Sequence, residues 1–470
     1  MWPEYILVLL WSFLSLSLCE ERFLFRDSIR ERLSKKERPN REAYAPTRRE
    51  VGDVLLLTPY LEEGRIEEAQ DLSRVNLEPY SDITSYSGFF TVNKQFNSNL
   101  FFWFFPAEVN YEAAPVVLYL EGGPGESSLA GCFEMLGPFW VSSDENNLVP
   151  RNYSWHKNHS LIFIDNPVGT GFSYTENDAG YASNQTQVGN ELYSAMSQFF
   201  TLFPELQKRD FFISGESYAG LIIGDGFTDP LTALHYSKLG YNLGLIDYDT
   251  KDIMKAYEDA ARKAIKKENF TKASENWFNS LNTLKSVSGV SVYGYVNVEM
   301  PRDGTMEQGN ITQFLKRADV RTALHVGDAS FDEANYVAMD TMLEELMVSA
   351  RPKVEELLNN GYRVVFFNGE LDIIVGYPLI VNLCRFVNTH TCEIWRDTRS
   401  LCISLEFTSR EEYLSAERHK WFVDGELAGF VKKGGNLTEI MVRGAGHNVP
   451  LYVPKQAFDL IYRITRNELP

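Results

Sequence analysis

The sequence predicts an α/β protein whose mostly parallel sheet carries helices on both faces. Short unbroken apolar runs of strand length, a stretch of helical periodicity between two of them, and glycine-containing segments after the runs all point there. The 470 residues are about three times a ~150-residue domain. One large α/β domain with insertions fits that length as well as two domains do. Hydrophobic residues at 44% and charged residues at 23% are ordinary globular values, which excludes disorder, collagen and coiled coil as the main theme. Aromatics at 13% predict an aromatic-lined core or cleft.

Residues 6–18 (ILVLLWSFLSLSL) form an apolar run too short to span a bilayer. The run closes on Ser17-Leu18, and Cys19 and then Glu20-Glu21 come next, so 1–19 reads as a cleaved secretory leader. No later stretch approaches ~18 consecutive apolar residues, so no transmembrane segment is expected. Six Asn-x-Ser/Thr sequons, at Asn152, Asn158, Asn184, Asn269, Asn310 and Asn436, agree with a luminal or extracellular route. Without Cys19 there remain Cys132, Cys384, Cys392 and Cys402, which can form two disulfides in any of three pairings.

The next elements follow from periodicity. Thr84 to Ala107 alternates as a hairpin, with Asn97-Ser98-Asn99 as its turn. Val116–Leu120, Leu161–Ile164, Phe211–Ile213, Val364–Phe367 and Ile440–Val442 read as buried parallel strands. Between the second and third, Val188, Leu192, Ala195, Met196 and Phe199 recur at helical spacing. Residues 231–358 read instead as amphipathic helices, an insertion or cap between sheet strands.

Charge limits the partners. The chain has 45 Lys/Arg against 64 Asp/Glu, a net of −19, and an acidic surface repels phosphate backbones, so nucleic acid is not an expected partner. Residues 20–50 carry ten Lys/Arg and seven Asp/Glu. That basic head reads either as a pro-segment on an acidic body or as a solvated terminus.

In open α/β sheets chemistry gathers at the carboxyl ends of strands. After Leu120 comes Glu121-Gly122-Gly123-Pro124-Gly125, whose glycines let backbone N–H groups approach an oxyanion; no Gly-Lys-Ser/Thr follows, so it is not a phosphate loop. After Ile213 comes Ser214-Gly215-Glu216-Ser217-Tyr218-Ala219-Gly220. A Gly two before Ser217 and a small residue two after it fit a nucleophile elbow. Asp372 follows Val364–Phe367, and His447 follows Ile440–Val442 on Gly444-Ala445-Gly446. The order Ser217, Asp372, His447, each after its own strand, is that of the α/β-hydrolase triad. His156, His159, His235, His325, His390 and His419 lack such a setting and read as surface or packing residues. No HExxH, CxxC pair or acidic ladder appears, so neither metal nor cofactor is implied.

Together these segments resemble the serine carboxypeptidases, most closely the vitellogenic-like branch. The matching strings are Ser85–Gly88, Asn97–Ala107, Gly122–Gly125, Asp165–Tyr174, Gly215–Gly220, Gly224–Gly226, Asn368–Asp372 and Gly444–His447. The resemblance implies an α/β-hydrolase fold with a helical cap. Its divisions are a leader at 1–19, an N-terminal or pro-segment at 20–79, the fold at 80–230 and 359–470, and the cap at 231–358. It implies that Ser217 attacks the carbonyl, His447 shuttles the proton and Asp372 orients the imidazole. The N–H groups of Gly123 and Tyr218 would form the oxyanion hole. Glu216, Glu121 and Gly122 would bind the terminal carboxylate of a peptide or protein substrate. Two acids at ~3 Å from a carboxylate bind it only when protonated, which predicts work at low pH, in a lysosome or outside the cell. The family places an amide where Glu121 stands, so a more acidic optimum or weaker C-terminal binding is expected. A homodimer is compatible with the resemblance.

Two departures qualify that reading. Only Glu216 to Gly220 separate the strand ending at Gly215 from the apolar Leu221-Ile222-Ile223, whereas parallel neighbours need a crossover of about a dozen residues. The helix that should follow Ser217 is therefore missing. The chain is abridged there, or is an inactive variant, or uses another segment in place of the helix. If Leu221–Gly224 forms a strand, that strand is expected to be displaced or the elbow at Ser217 distorted. Residues 387–406, with Cys392 and Cys402, form an insertion without counterpart in the family. The alternatives are a non-catalytic secreted relative that binds peptides or yolk-type partners, and an acyltransferase acting on small alcohols.

Overall fold

The computed structural model describes the backbone of 6–10 and residues 51–78, 82–143, 147–215, 217, 228–294, 311–379 and 405–470. Twelve named strands occur among them. They are β1 (Ile6–Leu10), β2 (Tyr86–Asn93), β3 (Ser98–Phe105), β4 (Val116–Leu120), β5 (Phe139–Val141), β6 (Leu148–Pro150), β7 (Ser160–Ile164), β8 (Phe211–Gly215), β9 (Arg363–Gly369), β10 (Arg418–Val423), β11 (Glu426–Gly434) and β12 (Leu437–Val442). Ten of them form one sheet in the order β10-β11-β12-β9-β1-β8-β4-β7-β3-β2. The six from β12 to β7 run parallel, and an antiparallel hairpin extends each end. The expected α/β fold with a mostly parallel sheet is the one observed.

Alternation along the strands divides the apolar residues into two cores, one on each side. Val116, Leu118 and Leu120 join the first with Phe102, Phe104 and Phe366; Val117 and Tyr119 join the second with Phe101, Trp103 and Phe367. The helix Gln185–Leu202 crosses from β7 to β8 and buries the expected stripe of Val188, Leu192, Ala195, Met196 and Phe199. Phe199 meets Phe102 and Phe104 edge-on. The Asn184 side chain starts this helix by accepting the Gln187 N–H at 2.9 Å. Named elements from Pro230 to Asn359 are all helical, as expected of the cap.

Several features were not expected. The place between β8 and β9 is taken by β1, from the run read as a leader; Leu10 pairs with Gly215, and Val8 with Val364. The expectation for Leu221–Gly224 lies outside the described residues, but the strand position beside β8 that it would need is filled. Residues 51–78, which the resemblance hardly covered, pack onto the body. Leu57 is fully buried against Gly88, and its N–H donates to the Phe89 carbonyl at 2.9 Å. Cys132 is a buried free thiol, so the option of two disulfides from four cysteines is not realised. Cys384, Cys392, Cys402 and the core of the 387–406 insertion lie outside the described residues, as do 20–50.

Candidate active site

The parallel strands bring their carboxyl ends to one rim, and each expected site segment leaves from it. Asp372 follows β9 and His447 follows β12. Those strands are neighbours in register, Gly369 opposite Val442. The loops beyond them are stitched together as well. The Leu371 N–H donates to the Ala445 carbonyl at 2.8 Å, and the Glu370 N–H to the Val442 carbonyl at 2.8 Å. Gly369 is required here, since a Cβ would stand 2.1 Å from the Gly446 carbonyl oxygen.

This stitching sets one buried pair. His447 Nδ1 lies 2.7 Å from Asp372 Oδ2, and both side chains are sealed from solvent. The second carboxylate oxygen accepts the Val375 N–H at 3.3 Å, which fixes the plane of the acid. His447 is held through its backbone N–H, donated to the Tyr293 carbonyl at 2.7 Å, and by the Tyr293 ring at 4.9 Å between centroids. A neutral imidazole bonded to a carboxylate through Nδ1 carries its proton there and leaves Nε2 as the basic nitrogen.

Ser217 follows β8 on the same rim, across β1 from β9. It is half-buried and adopts φ +55°. A side-chain residue in this left-handed region is strained by about 1–2 kcal/mol, as a nucleophile elbow requires. Glu216 and Tyr218, expected as a carboxylate binder and an oxyanion donor, lie outside the described residues.

On the far side of β8, β4 delivers Glu121, Gly122 and Gly123. Gly123 adopts φ +104°, and a Cβ there would meet the Glu126 side chain at 3.0 Å. Glu121 is buried; its carboxyl accepts the Tyr119 hydroxyl at 3.1 Å and the Gly122 N–H at 3.3 Å. The Gly122 N–H is therefore already engaged by Glu121. Burial, and then the neighbouring Glu126, push the Glu121 carboxyl well above the usual range, with a smaller push from Glu134. Sequence reasoning missed Glu126 and Glu134, both buried. Glu126 directly follows Gly125, the last residue of the glycine-rich segment, so its position was the available signal.

Of the sequons, Asn152 and Asn269 are exposed, and Asn158, Asn184 and Asn436 are half-buried. Asn184 and Asn269 cap helices through Oδ1, which leaves Nδ2 as the atom a glycan would use. Asn310 lies outside the described residues. His156 and His159 are buried in packing roles, as expected. Among the described residues no group of His, Cys, Asp and Glu is arranged to hold a metal ion.

A twisted parallel sheet with a strained strand-end serine and a buried acid–imidazole pair on one rim defines the α/β-hydrolase class. The fold is shared with the prohormone-processing carboxypeptidase Kex1Δp of Saccharomyces cerevisiae, at a TM-score of 0.68 and 21% identity over 85% of this chain and 97% of that one. The family model described as serine carboxypeptidase matches residues 76–223 and 219–467, two stretches that overlap over 219–223, at the end of the short Glu216–Gly220 link. A venom serine carboxypeptidase of Apis mellifera is 39% identical over 452 residues, covering 89% of this chain and 92% of the relative. A vitellogenic carboxypeptidase of Aedes aegypti is 40% identical over 451 residues, covering 88% and 90%. The chain belongs to the serine carboxypeptidase family, and its kinship is that of a serine-type hydrolase.

Proposed function

We propose that this protein releases C-terminal residues from peptides at acidic pH through Ser217, His447 and Asp372. The buried bond between His447 Nδ1 and Asp372 Oδ2 carries the reading. It holds the imidazole in the tautomer that lets Nε2 take the Ser217 hydroxyl proton as Oγ attacks the scissile carbonyl. The tetrahedral oxyanion is stabilised by the Gly123 and Tyr218 N–H groups. The imidazolium then returns its proton to the departing amine, and water discharges the acyl-enzyme by the same exchange. The raised Glu121 carboxyl supports the preference for acid, because a neutral acid can donate to the substrate's terminal carboxylate whereas an ionised one repels it.

The apolar N-terminal run and the sequons support passage through the secretory route to a lysosome or the exterior. Among the described residues no helix is long and apolar enough to cross a membrane. Removal of 1–19 would take β1 with it, so N-terminal sequencing of secreted protein tests this placement; a retained Met1 refutes the leader.

The activity is tested on purified protein with an organophosphonate and with peptides bearing free C-termini. Labelling of Ser217 with stepwise release of C-terminal residues is expected. Normal secretion without labelling would favour the peptide-binding reading. Labelling without peptide release, but with transfer to an alcohol, would favour the acyltransferase.

A further inference from the structure

Behind the Gly122–Gly125 turn three loops meet, and one buried carboxylate ties two of them together. Asp165 leaves β7 and is 1% exposed. Its Oδ1 accepts the Ser127 hydroxyl at 2.6 Å, and its Oδ2 accepts the Phe172 N–H at 2.8 Å. The first bond reaches the loop after β4; the second reaches the loop after β7 itself. Approach on the second side is close. Gly171 has φ +55°, and a Cβ there would lie 2.0 Å from Oδ2.

The third loop closes a ring. Gly171 and Asp332 exchange backbone bonds at 2.9 and 3.1 Å. The Ser127 N–H donates to the Glu333 carbonyl at 2.8 Å, and the Asn335 N–H to the Gly125 carbonyl at 2.9 Å. Ser128 adds a strut, its hydroxyl donating to the Ile164 carbonyl at 2.6 Å and accepting the Glu121 N–H at 3.0 Å. The turn that presents Gly123 is thus suspended between β4 and a ring of backbone bonds in which Asp165 is the shared side-chain acceptor.

Burial pushes the Asp165 carboxyl up to about 6, although Ser127 and several backbone N–H groups oppose the shift. A carboxyl is costly in such a place. It does what an amide cannot, because both of its oxygens face donors at once.

We propose that Asp165 is a positioning residue for the oxyanion site: by holding Ser127 and Phe172 to one carboxylate it fixes the path of Gly122–Gly125 and hence the direction of the Gly123 N–H. This rests on the reading of Gly123 as an oxyanion donor. Asp165 touches no reacting atom. Its contribution therefore falls on kcat, where donor direction matters, rather than on KM.

The test uses the full chain with Ser127→Ala, Ser127→Thr, Asp165→Asn and the Ser127→Ala/Asp165→Asn double variant. Hydrogen exchange of the peptide spanning 121–129 is read beside kcat and KM. Ser127→Ala and Asp165→Asn are each expected to speed exchange there and to lower kcat about tenfold, with KM changed less than about twofold. Ser127→Thr should restore both, and the double variant should be no worse than Asp165→Asn. Unchanged exchange, a loss that appears in KM, or losses that multiply in the double variant would overturn the proposal. Should Asp165→Asn fail to fold, the Ser127 pair decides alone. A wild-type chain without turnover refutes the proposed function, while the exchange readout still rules on the ring.

Discussion

Asp372 and His447 share a 2.7 Å hydrogen bond through Oδ2 and Nδ1, fully out of contact with solvent. Because β9 and β12 are paired in register up to Gly369 and Val442, the two side chains are set by sheet geometry rather than by flexible loops. A charged imidazole formed during catalysis would be stabilised here with little screening by water.

Asp372→Asn is expected to leave the sheet intact and to lower kcat by about 10³–10⁴-fold, because an amide can donate to Nδ1 and reverse the tautomer. KM should change little, since the acid does not touch the peptide. Steady-state kinetics beside a circular dichroism spectrum checks both parts.

Ser217 stores strain at φ +55°, and this separates two substitutions that are equally silent in catalysis. Ser217→Ala keeps the Cβ and its strain, whereas Ser217→Gly removes both. The glycine variant should exceed the alanine variant by about 0.5–1 kcal/mol in urea unfolding, after allowing for glycine's greater freedom in the unfolded chain. Neither should be labelled by an organophosphonate.

Strand-end residues were legible in the sequence because unbroken apolar runs such as Val116–Leu120 and Phe211–Ile213 mark the central strands, and the residue after each run is then a rim residue. The pairing of Asp372 with His447 was implied by their order at separate strand ends and by family likeness. Its local cause, the close passage of Gly369 by Gly446, depends on a sheet order that no local pattern encodes. Hairpin β10–β11 was missed because its outer strand exposes Arg418, His419, Lys420 and Phe422 and so shows no buried run. Asp165 was visible as part of a motif, but its double acceptance from Ser127 and Phe172 joins segments nearly forty residues apart in sequence. The position of β1 beside β8 contradicts nothing in its apolar character; a leader core and a buried strand look alike at that length.

Glu121 gives a prediction about pH. Its carboxyl is raised by burial first and by Glu126 second. As pH rises through that raised value, the group ionises and repels the substrate carboxylate, so kcat/KM should fall on the alkaline side. Glu121→Gln stays neutral and should carry the alkaline limb to higher pH, with the effect concentrated in KM. Peptides amidated at the C-terminus should show no such shift. Identical limbs for the two enzymes on free-acid peptides would remove Glu121 from substrate binding.

Stability should follow a pH course set by opposed buried groups. Glu258 is buried in the cap, where its carboxylate accepts the Ser237 N–H at 2.6 Å and the Ser237 hydroxyl at 2.9 Å, and burial pushes it up to about 7. The folded chain therefore holds this proton above the pH at which the unfolded chain releases it. Its contribution is complete below about pH 4.5 and is lost as pH rises through 7. His156 and His235 act in the other direction: burial pushes each down to about 4, so the unfolded chain takes up their protons first and stability falls as pH drops from about 6.5 towards 4. The two trends leave a stability maximum in mildly acidic solution. Glu258→Gln keeps an acceptor for the Ser237 N–H but has no proton to lose. Relative to wild type it should gain about 2–3 kcal/mol between pH 5 and pH 8. Urea midpoints measured across that range should diverge in favour of the variant, and parallel curves would show that Glu258 is ionised in the folded state throughout.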